Sequence, residues 1–165
     1  GTMKYLELAE TKSLPRVASI QNAYNLVNRG FEIGLSEIAM HEQVGLLAYS
    51  PLAQGTLTGK YLGGQMPQGS RLALFGDGPL MMRYKGDKTQ QAIEMYVNLA
   101  KKYEIDPAQL AIQFCNIQPF VTSTIIGATT MEQLKTCIDS VDLDITKEIM
   151  NEIRSIHKEI PNPAP

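Results

Sequence analysis

The chain is poor in the residues that most often make chemistry by themselves. Its 165 residues include two histidines, His41 and His157, and two cysteines, Cys115 and Cys137. Two histidines are too few for a histidine-based metal site. The cysteines have neither metal-ligand spacing nor the density of a disulfide framework, so no metal and a reduced, cytoplasmic setting are expected. Net charge is also scarce: 15 basic against 17 acidic residues leave −2, with a pI near 5.7. That balance attracts neither nucleic acid nor an anionic membrane. No apolar run approaches the roughly 20 residues that a spanning helix needs, and no secretory leader pattern opens the sequence. A Walker or Rossmann glycine motif is missing, as is any nucleophile, base and orienter set. What is present is a 44% apolar content, enough for one folded domain with a core.

Apolar spacing divides the chain into alternating elements. Met3, Leu6 and Ala9 fall on one helical face, flanked by Tyr5 and Leu8, and Pro15 ends that helix. Val17 to Asn25 reads as a buried strand, Phe31 to Gln43 as a helix, and Val44 to Ser50 as a second buried strand. Residues 51–86 form a long stretch rich in Gly, Pro and Ser, of the kind that is usually functional in a compact domain. Asp87 is expected to cap the next helix, which carries Ile93, Tyr96, Val97 and Ala100. Asp106-Pro107 opens another, with Leu110, Ala111 and Phe114. Val121 to Gly127 is the third strand, and Thr129 with Glu132 reads as a capping box for the helix bearing Leu134 and Ile138. Thr146 caps a last helix with Ile149, Met150, Ile153 and Ile156. The tail, residues 161–165, is expected to be extended and loose.

Continuous apolar strands alternating with helices predict an α/β fold with parallel strands. Three strands leave open edges and a bare face, and the order begins with a helix. The pattern suits a closed barrel cut part-way round. In such barrels function sits at the C-terminal strand ends. Here those ends read Gln21-Asn22, Tyr49-Ser50-Pro51-Leu52 and Gly127-Ala128-Thr129. Thr129 heads a helix whose free N–H groups favour an anion, and Gly55, Lys60 and Arg71 bring flexibility and positive charge. Each residue also has an ordinary reading. Thr129 is a helix-start residue, Lys60 and Arg71 are solvated surface, Tyr49 is core packing, and Gln21 bonds neighbouring backbone. His41 and His157 read as surface or satisfied residues, and Cys115 as a small core residue.

Four segments carry a resemblance: LLAYSPLAQGTLTGKY at 46–61, PRVASIQNAYNLVNRGFE at 15–32, DPAQLAIQFC at 106–115 and IIGATTMEQL at 125–134. Together they resemble the aldo-keto reductases, most of all the branch with the Tas-type bacterial reductases and the potassium-channel β-subunits. The likeness covers nearly the whole chain and implies a partial (β/α)8 TIM barrel, strands six to eight with flanking helices. Residues 1–160 would belong to the barrel and 161–165 to a tail. It implies NADPH as cofactor. Tyr49 would stack on the nicotinamide and Gln21 would bond its carboxamide. Ser50, Leu52, Gln54, Gly55 and Lys60 would wrap the pyrophosphate. Arg71 and Thr129 would lie near the 2′-phosphate, and Gln133 at the adenine end.

The sequence departs from the family pattern in two places. Cys137 stands where the family usually has Asn, and a thiol is a poor partner for the adenine amino group; nearby, Thr136 stands where the channel branch often has Glu. The larger departure is the catalytic Asp, Tyr, Lys and His. These belong to the first four strands and the carboxamide-binding Ser-Asn pair to the fifth, so none is assignable here. Tyr24 and Tyr61 do not match the tetrad tyrosine. The expectation is therefore a dinucleotide-holding portion with little or no reductase activity alone. Its bare face would be covered by a second copy or by a complementary N-terminal half. The alternative is a non-catalytic NADPH-sensing or interaction module, or a structural remnant. A complete α/β sandwich around an unrelated ligand is opposed by the helix-first order and by the four motifs in sequence.

Overall fold

The computed structural model describes residues 1–76 and 78–165, with all of their side chains but that of Leu80. Helix α1 runs Thr2–Thr11 and is followed by β1 (Ser19–Ala23), α2 (Leu35–His41) and β2 (Gly45–Tyr49). Two short helices, α3 (Arg71–Phe75) and α4 (Pro79–Met82), precede α5 (Asp87–Lys102) and α6 (Pro107–Asn116). Strand β3 (Val121–Thr124), α7 (Met131–Asp139) and α8 (Lys147–Glu159) complete the order. The three strands form one sheet, β1-β2-β3, parallel throughout. The α/β reading and the parallel pairing are therefore observed.

Several boundaries differ from the sequence reading, each for a local reason. The first helix stops four residues before Pro15, with Lys12 as its cap. It buries Leu6 and Ala9 but leaves Met3 and Tyr5 exposed. The helix expected over 31–43 is broken: Gly30–Glu32 is a 3₁₀ turn, and Gly34 at φ +84° admits α2 only from Leu35. The cap of α5 is Gly86, and Asp87 sits in the first turn, where its charge faces the helix dipole instead of an amide. Thr130, not Thr129, caps α7, its hydroxyl accepting from the Gln133 amide at 3.2 Å. The Asp106 and Thr146 caps form as the sequence implies, Asp106 taking the amides of Ala108 and Gln109 and Thr146 that of Ile149.

Alternation along β2 decides which way the sheet faces. Leu46 and Ala48 are fully buried against the helical layer. Gln21, Leu47 and Ser123 are register partners across the three strands. Gln21 and Ser123 are exposed and Leu47 is half-buried. Among the described residues, then, helices cover one face of the sheet and leave the other bare. The buried side packs Leu46, Ala48, Leu57, Ile93, Val97, Leu110, Phe114 and Ile153 into one core, with Cys115 as the small buried residue expected.

At the edge of that core lies a charged cluster. The Arg29 guanidinium donates two bonds to the Glu32 carboxylate, at 2.7 and 2.8 Å, and stacks 5.2 Å above the Phe114 ring. The Tyr24 hydroxyl donates to the same carboxylate at 2.6 Å. His157 of α8 lies within electrostatic reach of both charges. The tail docks on the turn that carries Arg29, so the expectation of a loose tail is corrected. The Arg29 amide donates to the Asn162 side chain at 2.6 Å, the Thr89 hydroxyl to the Pro163 carbonyl at 2.8 Å, and the Ala164 amide to the Val27 carbonyl at 3.0 Å. Pro161, Pro163 and Pro165 restrict φ along the tail, while Asn162 between them takes a φ of +53° where it bonds the Arg29 amide.

This cluster makes the fold acid-sensitive in two steps. Burial, and then the Arg29 guanidinium, hold His157 below its usual 6.5, against an opposing pull from Glu32. The unfolded chain therefore binds that proton first, and stability falls as the pH drops below 6.5. Burial pushes the Glu32 carboxyl up, but its bonds from Arg29 and Tyr24 outweigh this and leave it below its usual 4.5, so its contribution is lost at still lower pH. Thermal midpoints recorded from pH 7.5 to 4 should decline over both limbs. His157→Gln should flatten the upper limb alone.

Candidate functional site

Because the strands are parallel and adjacent, the chain leaves β1, β2 and β3 at one edge of the sheet. The Ile125 amide donates to the Ala48 carbonyl at 2.8 Å, extending that edge past β3. The candidate residues are distributed over this edge in three groups.

Gln21 and Tyr49 stand on the sheet itself. Gln21 pairs with Leu47, and Tyr49 pairs with Ala23 two residues further along. The Tyr49 ring is 39% exposed, so it presents a flat apolar surface rather than filling the core.

The second group is the loop leaving β2, which folds into a 3₁₀ segment at Ala53–Thr58. Ser50, Ala53 and Gln54 all have positive φ, at 54°, 49° and 60°, and Gly55 follows at 91°. Three non-glycine residues in the left-handed region cost roughly 1–2 kcal/mol each, and such backbone persists only where its surroundings dictate it. Here the loop's own bonds help: the Leu52 carbonyl accepts the amides of Gly55 and Leu57, and the Thr56 hydroxyl donates to the Ala53 carbonyl. A side-chain relay then crosses the loop. The Gln54 amide donates to the Ser50 hydroxyl at 3.0 Å, and Arg71 donates to the Gln54 carbonyl oxygen at 2.8 Å. Lys60 lies so close to Gly55 that a Cβ there would sit 3.2 Å from its Nζ. Two cations and a run of turned amides are thus gathered on one loop, a suitable cradle for an anion.

The third group is Thr129 and Gln133 at the start of α7. The Gln133 carbonyl oxygen accepts from both the amide and the hydroxyl of Thr129, at 3.0 and 3.1 Å. These donors are therefore occupied within the chain, and Glu132 places an acid in the first turn. An anion taking the Thr129 donors must displace Gln133. Cys137, further along α7, is buried, and burial raises its thiol above the usual value.

Sequence reasoning missed two residues that support this edge. Asn25, fully buried, donates from its side chain to the Ser50 carbonyl at 2.9 Å. Tyr61 is buried, and its hydroxyl accepts the Leu72 amide at 3.3 Å, fixing α3 and hence Arg71 against the loop. The regular Asn22, Asn25 and Asn28 spacing at the end of β1 was the available signal for the first. Among the described residues, no group of three or more His, Cys, Asp or Glu side chains is placed to hold a metal ion. None of the helices searched is long and apolar enough to cross a membrane.

A parallel sheet whose strand exits share one edge, with a cationic, turned loop at that edge, defines an α/β protein of the strand–helix repeat class. The chain belongs to the aldo-keto reductase family, a TIM-barrel family: the Aldo/keto reductase family profile matches residues 2–158. It is 50% identical over its full length to Protein tas of Escherichia coli, covering 47% of that protein. It is 37% identical over 164 residues to an aldo-keto reductase of Babesia bovis, with 95% of this chain and 57% of that one aligned. A probable voltage-gated potassium channel subunit beta of rice is 36% identical over 115 residues, 68% of this chain and 35% of its own. The chain thus spans about half the length of the curated relatives it matches.

The Gln54 relay gives a direct test of the loop's internal order. Gln54→Ala removes an exposed bond to Arg71 and a part-buried one to Ser50, so stability should fall by less than about 1.5 kcal/mol. Tryptic cleavage after Arg71 should nevertheless accelerate several-fold, since Arg71 loses its hydrogen-bond anchor on the loop.

Proposed function

We propose that the chain is strands six to eight of an aldo-keto reductase barrel and supplies the grip for NADPH in carbonyl reduction. The observation that carries this reading is the β2 exit, where the exposed Tyr49 ring, the strained Ser50–Gly55 backbone and the cations Lys60 and Arg71 follow one another along a single edge. The donor set fits a reduced dinucleotide. A flat ring takes the nicotinamide on Tyr49, with Gln21 two residues from its register partner to bond the carboxamide. Lys60, Gly55, Gln54, Leu52 and Ser50 serve the pyrophosphate, and Arg71 the 2′-phosphate. Thr129 and Gln133 serve the adenosine end once their mutual bond opens. The dinucleotide supplies the hydride. This chain's residues bind and orient it and keep water from one side of the ring.

The proton donor is not among them. No tyrosine, lysine, histidine and aspartate of these 165 residues match the family's tetrad, so turnover by this chain alone is not expected. The bare sheet face, with Gln21, Leu47 and Ser123 across it, would be covered by a complementary half-barrel or by a second copy. Similarity to a channel β-subunit favours a second reading, NADPH sensing without turnover.

Fluorescence titration with NADPH, run beside an aldehyde-reduction assay, separates these. The expected result is weak binding without turnover, since one wall of the site lies outside the chain. Lys60→Ala should weaken binding by about tenfold. Turnover by this chain would overturn the missing-donor argument. No binding, with or without a complementary half, would overturn the dinucleotide reading. Binding that stays without turnover when the tetrad-bearing half is supplied would favour the sensor.

A further inference from the structure

We infer that Asn25 is a positioning residue for the β2 exit: its carboxamide fixes the backbone at Ser50, and through it the setting of Tyr49 and the loop that follows. The inference rests on the dinucleotide reading of that edge for its functional half, and on the geometry alone for its structural half.

Asn25 is fully buried, and both ends of its carboxamide are used. Its carbonyl oxygen accepts the amides of Val27 and Asn28, at 3.1 and 2.9 Å, closing the turn after β1. Its Nδ2 donates to the Ser50 carbonyl at 2.9 Å. Tyr84 is buried nearby, and burial raises its phenol while the side chains of Arg83 and Asn25 oppose the rise. The main chain runs alongside, with the Tyr24 amide donating to the Tyr49 carbonyl at 3.3 Å.

Ser50 is where this matters. It is the first residue beyond the strand and sits at φ +54°, a conformation that a serine holds only under constraint. Its carbonyl accepts from Asn25 and from the Ala53 amide together. Other side-chain bonds to the backbone of this loop come from within it: Thr56 to Ala53 and Thr58 to Gly55. The bond from Asn25 reaches in from the turn after β1, 25 residues away. It therefore sets where the loop starts relative to the sheet, whereas the internal bonds set only its shape. The position needs an acceptor and a donor on one short planar group. Aspartate lacks the donor, and serine keeps an acceptor near the turn but does not reach Ser50.

The test uses the intact protein with Asn25→Ser as lead variant, because aspartate would add the desolvation of a buried charge. Exchange of the Ala53, Gly55 and Leu57 amides should become about five- to tenfold faster, as expected for one lost buried hydrogen bond, with the NADPH dissociation constant rising by about the same factor. Exchange in α6, packed beneath, should stay as in the parent. Adding Ser50→Gly, which accepts positive φ without strain, should return loop exchange toward the parent value. A purely structural role predicts uniform acceleration with no rescue by glycine, and that outcome overturns the inference, as does parental exchange in the loop. Should Asn25→Ser unfold, the side-chain amide resonances of Asn25 in the parent decide the matter. They should be slow to exchange and shift when NADPH is added, and unmoved resonances at saturation overturn the inference. A parent that binds no NADPH overturns the dinucleotide reading instead, while loop exchange still decides whether Asn25 holds Ser50.

Discussion

The arrangement depends on β2 being paired on both sides by strands running in its own direction. Parallel pairing leaves all three exits at one edge, so residues 24, 50 and 125 leave the sheet as neighbours although they are far apart in sequence. Were β3 antiparallel to β2, the Ser50 loop and the Thr129 turn would issue from opposite ends of the sheet. The pairing is possible because β2 can be buried toward the helices through Leu46 and Ala48 while Gly45 lets Thr122 of β3 come close. A Cβ at Gly45 would lie 1.7 Å from the Thr122 hydroxyl oxygen.

Much of this was legible in the sequence. Runs of β-branched and aliphatic residues marked three strands, and their alternation with helices gave parallel order. But β1 and β3 are not buried runs: Gln21, Thr122 and Ser123 are exposed on the uncovered face or edge. The Asp106 and Thr146 caps were readable because a side-chain oxygen before an apolar helix has few other uses. The capping box at α7 was misplaced by one residue, since Thr129 and Thr130 are chemically equivalent and Glu132 and Gln133 both suit such a box. Which pair forms depends on backbone direction leaving β3, and composition does not encode that. The tail was misread for a similar reason. A Pro-rich end reads as loose unless the turn that receives it is known, and that turn is made at residues 27–29.

The candidate site was legible by family pattern more than by physics. Singly, Lys60 and Arg71 look like solvated surface, and nothing about Gln54 in isolation marks it as a bridge. The structure joins Ser50, Gln54 and Arg71 into one relay and lays Lys60 against Gly55, which no periodicity argument could anticipate. It leaves Thr129 and Gln133 joined to each other. The two halves of the expected grip are therefore in different states: the β2 exit is set by buried support, while the α7 end is held shut by a pair of surface bonds.

The tail's attachment to the Arg29 turn also bears on how the chain is assembled. The bond between Arg29 and Asn162 closes a loop of 133 residues. Contacts so distant in sequence form late, because chain closure must precede any gain from them. During synthesis, the turn beyond β1 leaves the ribosome long before its latch exists. In that interval Arg29 and Glu32 have each other but the Arg29 amide lacks its bond to Asn162, so maturation of this corner is timed by residues far along the chain.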